Sequence, residues 1–170
     1  YAVDSSGSVQ WVFDCAGRVR SSPTVSASGV VYVGSSRGLF AINHVSGTRI
    51  WLLEVDGGVK SSPMVDTAEN IFIGGMDEKF YKISSTGQVL WTCTFDDTVG
   101  ESSPSLSVNG AIVVVGANNG VLYGLNATTN SACHIIWQYT TGAAIRSSPL
   151  IDDYDTVFIG SRDGYMYAIQ

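Results

Sequence analysis

Proline occurs in this chain only inside one tripeptide, Ser-Ser-Pro, and that tripeptide occurs four times, at Ser21–Pro23, Ser61–Pro63, Ser102–Pro104 and Ser147–Pro149. The four tryptophans, Trp11, Trp51, Trp91 and Trp137, keep step with it: they are spaced by 40, 40 and 46 residues, and each precedes its Ser-Ser-Pro by about ten. Two rare residue types in register four times make an internal repeat. A unit of this size cannot bury its apolar face alone, so neighbouring copies must stack.

Each period divides into four short segments rich in β-branched and aromatic residues. The first follows Ser-Ser-Pro, as in Thr24-Val25 and Leu150-Ile151. The second is an apolar run ending in glycine: Val30 to Gly34, Ile71 to Gly74, Ala111 to Gly116 and Val157 to Gly160. The third is aromatic and alternating, as in Val121-Leu122-Tyr123 and Tyr165-Met166-Tyr167, and the fourth carries the tryptophan. These are strand lengths and strand residues, with no helical period among them. The linkers are turn chemistry: Ser36-Arg37-Gly38, Asn118-Asn119-Gly120 and Arg162-Asp163-Gly164 predict hairpin turns with glycine at positive φ. Met76-Asp77-Glu78-Lys79 stands at that place in the second repeat, so its turn is expected to differ. Four antiparallel strands per period of about 40 residues predict an all-β chain, a β-propeller of four-stranded blades. The units run roughly 1–20 (partial), 21–60, 61–101, 102–146 and 147–170 (partial), in one domain spanning 1–170.

Composition narrows the partners. The 170 residues carry a formal net charge of −6, and the nine basic residues are scattered, with no basic face for nucleic acid or an anionic membrane. No apolar run approaches the ~20 residues that would cross a bilayer, so membrane insertion is not expected. The chain opens on Tyr1, which predicts a processed product or a piece of something longer. Cys15, Cys93 and Cys133 form no C-x-x-C pair. Cys93 follows its tryptophan by two residues and Cys133 lies in the insertion before the next, so they are either bridged or separate buried thiols.

The repeat resembles that of the pyrroloquinoline-quinone (PQQ)-like propeller family, whose docking motif runs A-x-D-x-x-T-G-x-x-x-W. Ala41, Asn43, Ser46, Gly47 and Trp51 match it, as do Thr86, Gly87 and Trp91; Ala2, Asp4, Gly7 and Trp11 match with one residue missing. Gly124, Asn126 and Trp137 form a copy stretched by an insertion. The resemblance covers the whole chain and implies a ring of seven or eight blades, of which about four are here. It assigns Trp11, Trp51, Trp91 and Trp137 to blade docking on outer strands.

The enzymatic branch of that family oxidises alcohols or sugars with PQQ and calcium, using adjacent cysteines and a metal-binding set of acids and amides. This chain has no adjacent cysteines, and His44 and His134 belong to no recognisable cluster. No Ser–His–Asp order, phosphate loop or nucleophile elbow is present. The non-enzymatic branch, similar to a periplasmic outer-membrane-assembly scaffold and a stress-sensor lumenal domain, holds other proteins by loops and blade edges. The expectation is therefore a secreted or periplasmic interaction scaffold that needs no cofactor; the alternative is a fragment of a PQQ-dependent oxidoreductase.

Three local features are candidates for more than packing. The residue before each Ser-Ser-Pro is Arg20, Lys60, Glu101 or Arg146, which the blade arrangement crowds at one mouth of the central channel. Such a ring either binds a small anion or a partner's carboxylate, or is a solvated set of ion pairs. Asp152, Asp153 and Asp155 form an acidic turn that lacks the glycine and distal glutamate of a calcium loop. Asn126-Ala127-Thr128 is an N-glycosylation sequon. Finally, the opening copy has an outer strand without its first two, and the last has three strands without an outer one. These repeats are thus expected to be an arc of a larger ring, completed by more of the same chain or by a second copy, or extended into a filament.

Overall fold

The computed structural model describes residues 1–170, in which every element is a strand. A two-stranded ribbon, β1 (Ala2–Val3) and β2 (Val9–Trp11), comes first. Blade 1 follows as β3 (Thr24–Val25), β4 (Val30–Ser35), β5 (Gly38–Asn43) and β6 (Arg49–Glu54). Blade 2 is β7 (Met64–Val65), β8 (Ile71–Gly74), β9 (Lys79–Ile83) and β10 (Val89–Thr94). Blade 3 is β11 (Ser105–Leu106), β12 (Ile112–Gly116), β13 (Val121–Asn126) and β14 (Ile135–Thr140). The last sheet has three strands, β15 (Leu150–Ile151), β16 (Val157–Gly160) and β17 (Met166–Ile169). Every sheet is antiparallel and ordered as the chain runs, giving a partial propeller of about four blades.

Strand alternation builds the core between blades, not inside one. On β8, Ile71 and Ile73 pack with Tyr32, Leu39 and Val59 of blade 1, while Phe72 between them packs with Val113, Val115 and Leu125 of blade 3. Both faces of a middle blade are therefore buried, which is why its strands read as continuous apolar runs.

The repeated tripeptide supplies the inner wall. The first serine of each copy accepts the amide of the glycine that ends the second strand, with Gly34, Gly74, Gly116 and Gly160 donating to Ser21, Ser61, Ser102 and Ser147 at 2.8–3.1 Å. The second serine links blades: Ser22 N–H donates to Ser62 Oγ (2.8 Å), Ser62 N–H to Ser103 Oγ (2.9 Å) and Ser103 N–H to Ser148 Oγ (3.1 Å). Glycine ends the second strand because the next blade comes too close for a side chain. A Cβ at Gly34, Gly74 or Gly116 would run into Val59, the Val99 carbonyl or Ile145.

One turn expectation is corrected. The second repeat makes the same hairpin turn as repeats three and four, because Glu78 takes φ +64° where Gly120 and Gly164 have +83° and +90°. A left-handed non-glycine residue costs about 1–2 kcal/mol, which blade packing offsets here. The turn that differs is in blade 1, where Ser35 pairs directly with Gly38 in a shorter hairpin.

Candidate site at the channel mouth

The connections that lead into the innermost strands lie beside the hairpin turns joining the second and third strands. The same backbone bond fixes each pair: Ser36, Met76, Asn118 and Arg162 donate their N–H to the carbonyls of Arg18, Gly58, Thr98 and Ala144 at 2.9–3.0 Å. Two residues after Arg18, Gly58 and Ala144, and three after Thr98, come Arg20, Lys60, Arg146 and Glu101.

The structure joins three of these four. Glu101 accepts from Lys60 Nζ at 3.0 Å through one carboxylate oxygen and from Arg146 Nε at 2.9 Å through the other. Arg146 also donates to Asn118 Oδ1 at 3.2 Å. The bond from Lys60, then the charges of Lys60, Arg146 and Arg20, hold the Glu101 carboxyl below its ordinary value despite partial burial. Arg20 joins no ion pair. It lines a recess of about 270 Å3 with Arg18, Lys60, Ser36, Gly57 and Val59, and no carboxylate is among these residues. Arg18 is the residue that sequence reasoning missed. Its signal was present: the other repeats place Gly58, Thr98 and Ala144 there, so a charge at that position belongs to blade 1 alone.

The tryptophans lie on β2, β6, β10 and β14, the outermost strand of each sheet. Three reach into the next blade, where the indole N–H donates to a carbonyl in the turn between third and fourth strands. Trp11 donates to His44 (2.8 Å), Trp51 to Ser85 (2.9 Å) and Trp91 to Thr129 (2.9 Å). Trp137 packs over Gly124 of its own blade. His44 is thus a backbone partner, and His134 holds the base of the blade 3 insertion through its carbonyl, which accepts from Asn126 N–H at 2.9 Å.

That insertion, residues 127–134, is tied to blade 2 three times. Cys93 is bonded to Cys133, with Cα atoms 5.5 Å apart, and Trp91 holds Thr129. Lys82 gives the third tie. It is 1% exposed, donates to Ala127 O (2.6 Å), Thr129 O (3.1 Å) and Asn130 Oδ1 (2.6 Å), and rests over the Phe72 ring. Burial pushes its ammonium below the ordinary lysine range. Ala41, Gly124 and Ala168 occupy the corresponding place opposite the second strand in the other sheets, so lysine, cystine and insertion depart from the repeat together.

The remaining candidates have local structural work. Asp152 Oδ1 accepts the amides of Tyr154 and Thr156 at 2.9 and 2.8 Å, as Asp66 does in blade 2, and Asp153 and Asp155 are exposed in the same turn. Asn126 is half-buried, and its Oδ1 accepts both the amide and the hydroxyl of Thr128 at 2.8 Å. The chain brings no three His, Cys, Asp or Glu side chains within reach of one metal ion. Its cystine joins residues 40 apart rather than neighbours.

The whole chain, residues 1–170, matches the family model described as outer membrane protein assembly factor BamB. Among solved structures it is similar to BamB from Moraxella catarrhalis, with a TM-score of 0.80 and 16% identity over 95% of this chain and 53% of that one. It is similar also to the quinohemoprotein alcohol dehydrogenase of Comamonas testosteroni, with a TM-score of 0.76 and 16% identity over 91% of this chain and 31% of that one. The computationally designed Ika4 protein aligns over 96% of this chain and 100% of its own, with a TM-score of 0.68 and 17% identity. The chain spans about half the length of the M. catarrhalis protein. No curated protein matches the sequence.

Proposed function

The chain belongs to the outer membrane protein assembly factor BamB family, and from that premise we propose that it is a non-catalytic propeller segment that holds other proteins at its channel-mouth face. The observation that carries this reading is the division of labour between the faces of the blades. Trp11, Trp51, Trp91, Lys82 and the paired serines are spent on joining blades, whereas Arg18, Arg20 and the hairpin turns around them stand in solvent. Convergent unpaired cations at a rim are suited to recognition.

Two further features support the setting. A cystine such as Cys93–Cys133 forms and persists in oxidising compartments, which favours a periplasmic or extracellular location. No helix is long and apolar enough to cross a membrane. The outer edge of β17 is unpaired, and the outward face of blade 1 carries an apolar recess of about 460 Å3 beside Trp11 and Phe13. Further blades, from more of the same polypeptide or from a second copy, would cover both.

A photo-crosslinking residue at Asn119, in a mouth-face turn, tests the reading against one at exposed Val45 on the opposite rim. Discrete polypeptide adducts at Asn119 and none at Val45 are expected. Equal labelling at both, or none at either, overturns the mouth-face assignment. The rival reading, an oxidoreductase that shares the dehydrogenase fold, is tested by titration with PQQ and calcium. Stoichiometric binding with dye-linked alcohol oxidation would replace the scaffold by the enzyme.

A further inference from the structure

We propose that the recess formed by Arg18, Arg20, Ser36 and Lys60 is a carboxylate-binding site that takes an acidic side chain from an extended peptide segment of the partner. This inference rests on the scaffold reading and deepens it by naming the chemistry that the mouth recognises.

The mouth is electrostatically lopsided. Among the residues that enter blades 2 to 4, charge is satisfied internally, because Glu101 places one oxygen on Lys60 and the other on Arg146. At the edge of blade 1 the sign is the same and the satisfaction is missing. Arg20 stands at the same repeat position as Lys60 and Arg146, Arg18 adds a second guanidinium where other repeats are uncharged, and neither makes an ion pair. Arg18 and Arg20 thus form a local pair of unneutralised guanidinium groups in a chain whose net charge is −6. A partner's carboxylate would do for Arg18 and Arg20 what Glu101 does for Lys60 and Arg146.

The shape selects a side chain rather than a whole ligand. At about 270 Å3 the recess falls just below the size of small-molecule pockets, and it opens to solvent at the rim, where a peptide backbone can pass. Buried Val59 contributes an apolar wall that suits the methylenes of a glutamate. Guanidinium groups bind carboxylates through paired N–H donors, which gives direction as well as charge. Ser36 sits at the rim with its hydroxyl oxygen already accepting from the Arg18 amide at 3.1 Å, leaving its O–H free to donate to a guest oxygen. Arg20 also acts on Glu101 through space, so a guest anion beside Arg20 is in electrostatic contact with the Lys60–Glu101–Arg146 chain.

The test is fluorescence anisotropy with the full chain and a fluorescein-labelled peptide of alternating glutamate and serine, with a glutamine–serine peptide as the uncharged counterpart. The acidic peptide is expected to bind and the glutamine peptide to bind at least about tenfold more weakly, with affinity falling as salt rises. The double variant Arg18→Gln/Arg20→Gln should lose about tenfold or more in affinity, while Arg49→Gln, which removes an exposed arginine from β6, should not. The charge reversal Arg20→Glu should reject the acidic peptide and take up a lysine–serine peptide. Equal binding of the acidic and glutamine peptides, or an unchanged affinity in the double variant, overturns the proposal. Full competition by inorganic phosphate at millimolar concentration would assign the recess to small anions and overturn it too. Crosslinks to a partner at Asn119 without any acidic-peptide binding would sink this inference while leaving the scaffold reading intact.

Discussion

The boundary between blades 2 and 3 and the boundaries nearest the two ends of the arc are built from the same repeat and differ in how far it has been completed. At the inner boundary twelve buried residues form one cluster, in which Trp91 is 4% exposed. At the ribbon end the corresponding cluster has four buried residues, and Trp11 is half-buried. Toward the last sheet it has five, and Trp137 is half-buried. The inner boundary also carries the cystine and Lys82, which appear nowhere else in the arc. A propeller blade is thus only as stable as the neighbour on each side, and covalent and polar ties have accumulated where both neighbours are present.

The largest test of this contrast is the tryptophans themselves. Trp91→Ala should cost about 3–5 kcal/mol, and Trp137→Ala about 1–2 kcal/mol, since less apolar area leaves water there. Urea unfolding midpoints of the two variants decide it, and equal losses would mean that blade context does not set the value of the residue. Next in size is the cystine. Cys133→Ser, which opens a loop closed across a separation of 40 residues, should cost about 2–4 kcal/mol. Native-state hydrogen exchange should show the loss concentrated in β10 and the 127–134 insertion, and a loss spread evenly over all blades would contradict the local tie.

Lys82→Met should cost about 1–3 kcal/mol, because the Ala127 carbonyl and Asn130 lose a buried donor that methionine cannot replace. The same substitution in the Cys133→Ser background should cost less than the sum of the two, as both hold one loop. Strict additivity in that double-mutant cycle would separate the two ties. The smallest expected effect is on pH. Glu101 has a folded-state pKa below its ordinary value of 4.5, chiefly through the bond from Lys60. Its stabilising contribution is therefore fully present above that value and lost as pH falls through the folded pKa. Glu101→Gln should flatten the acid limb of stability as pH falls below the ordinary carboxyl range, and an unchanged limb would show that the Lys60–Glu101–Arg146 chain contributes nothing at this rim.

The all-β architecture, the strand count per period and the placement of tryptophan on outer strands are legible from residue spacing, because each is a local consequence repeated four times. The identity of Glu78 as a left-handed turn residue was not legible. Nothing local favours it over glycine, and only the flanking ladder from Gly75 to Lys79 holds it there. The mouth ring was legible as a set of four positions and not as a set of partners. Which of Arg20, Lys60 and Arg146 meets Glu101 depends on the angle between adjacent blades, and so does the exclusion of Arg20 from the pairing.

What residue order determines in this protein is everything that repeats: strand, turn, glycine at the close approach, and the serine pair that enters the inner wall. What tertiary structure alone decides is what breaks the repeat. Cys93 met Cys133 rather than remaining a thiol because the insertion folds back across a blade boundary, and Lys82 can be buried because that same insertion delivers three oxygens to it. A periodic pattern is written in short-range spacing, whereas a pairing between residues 40 or more apart exists only once the blades have stacked.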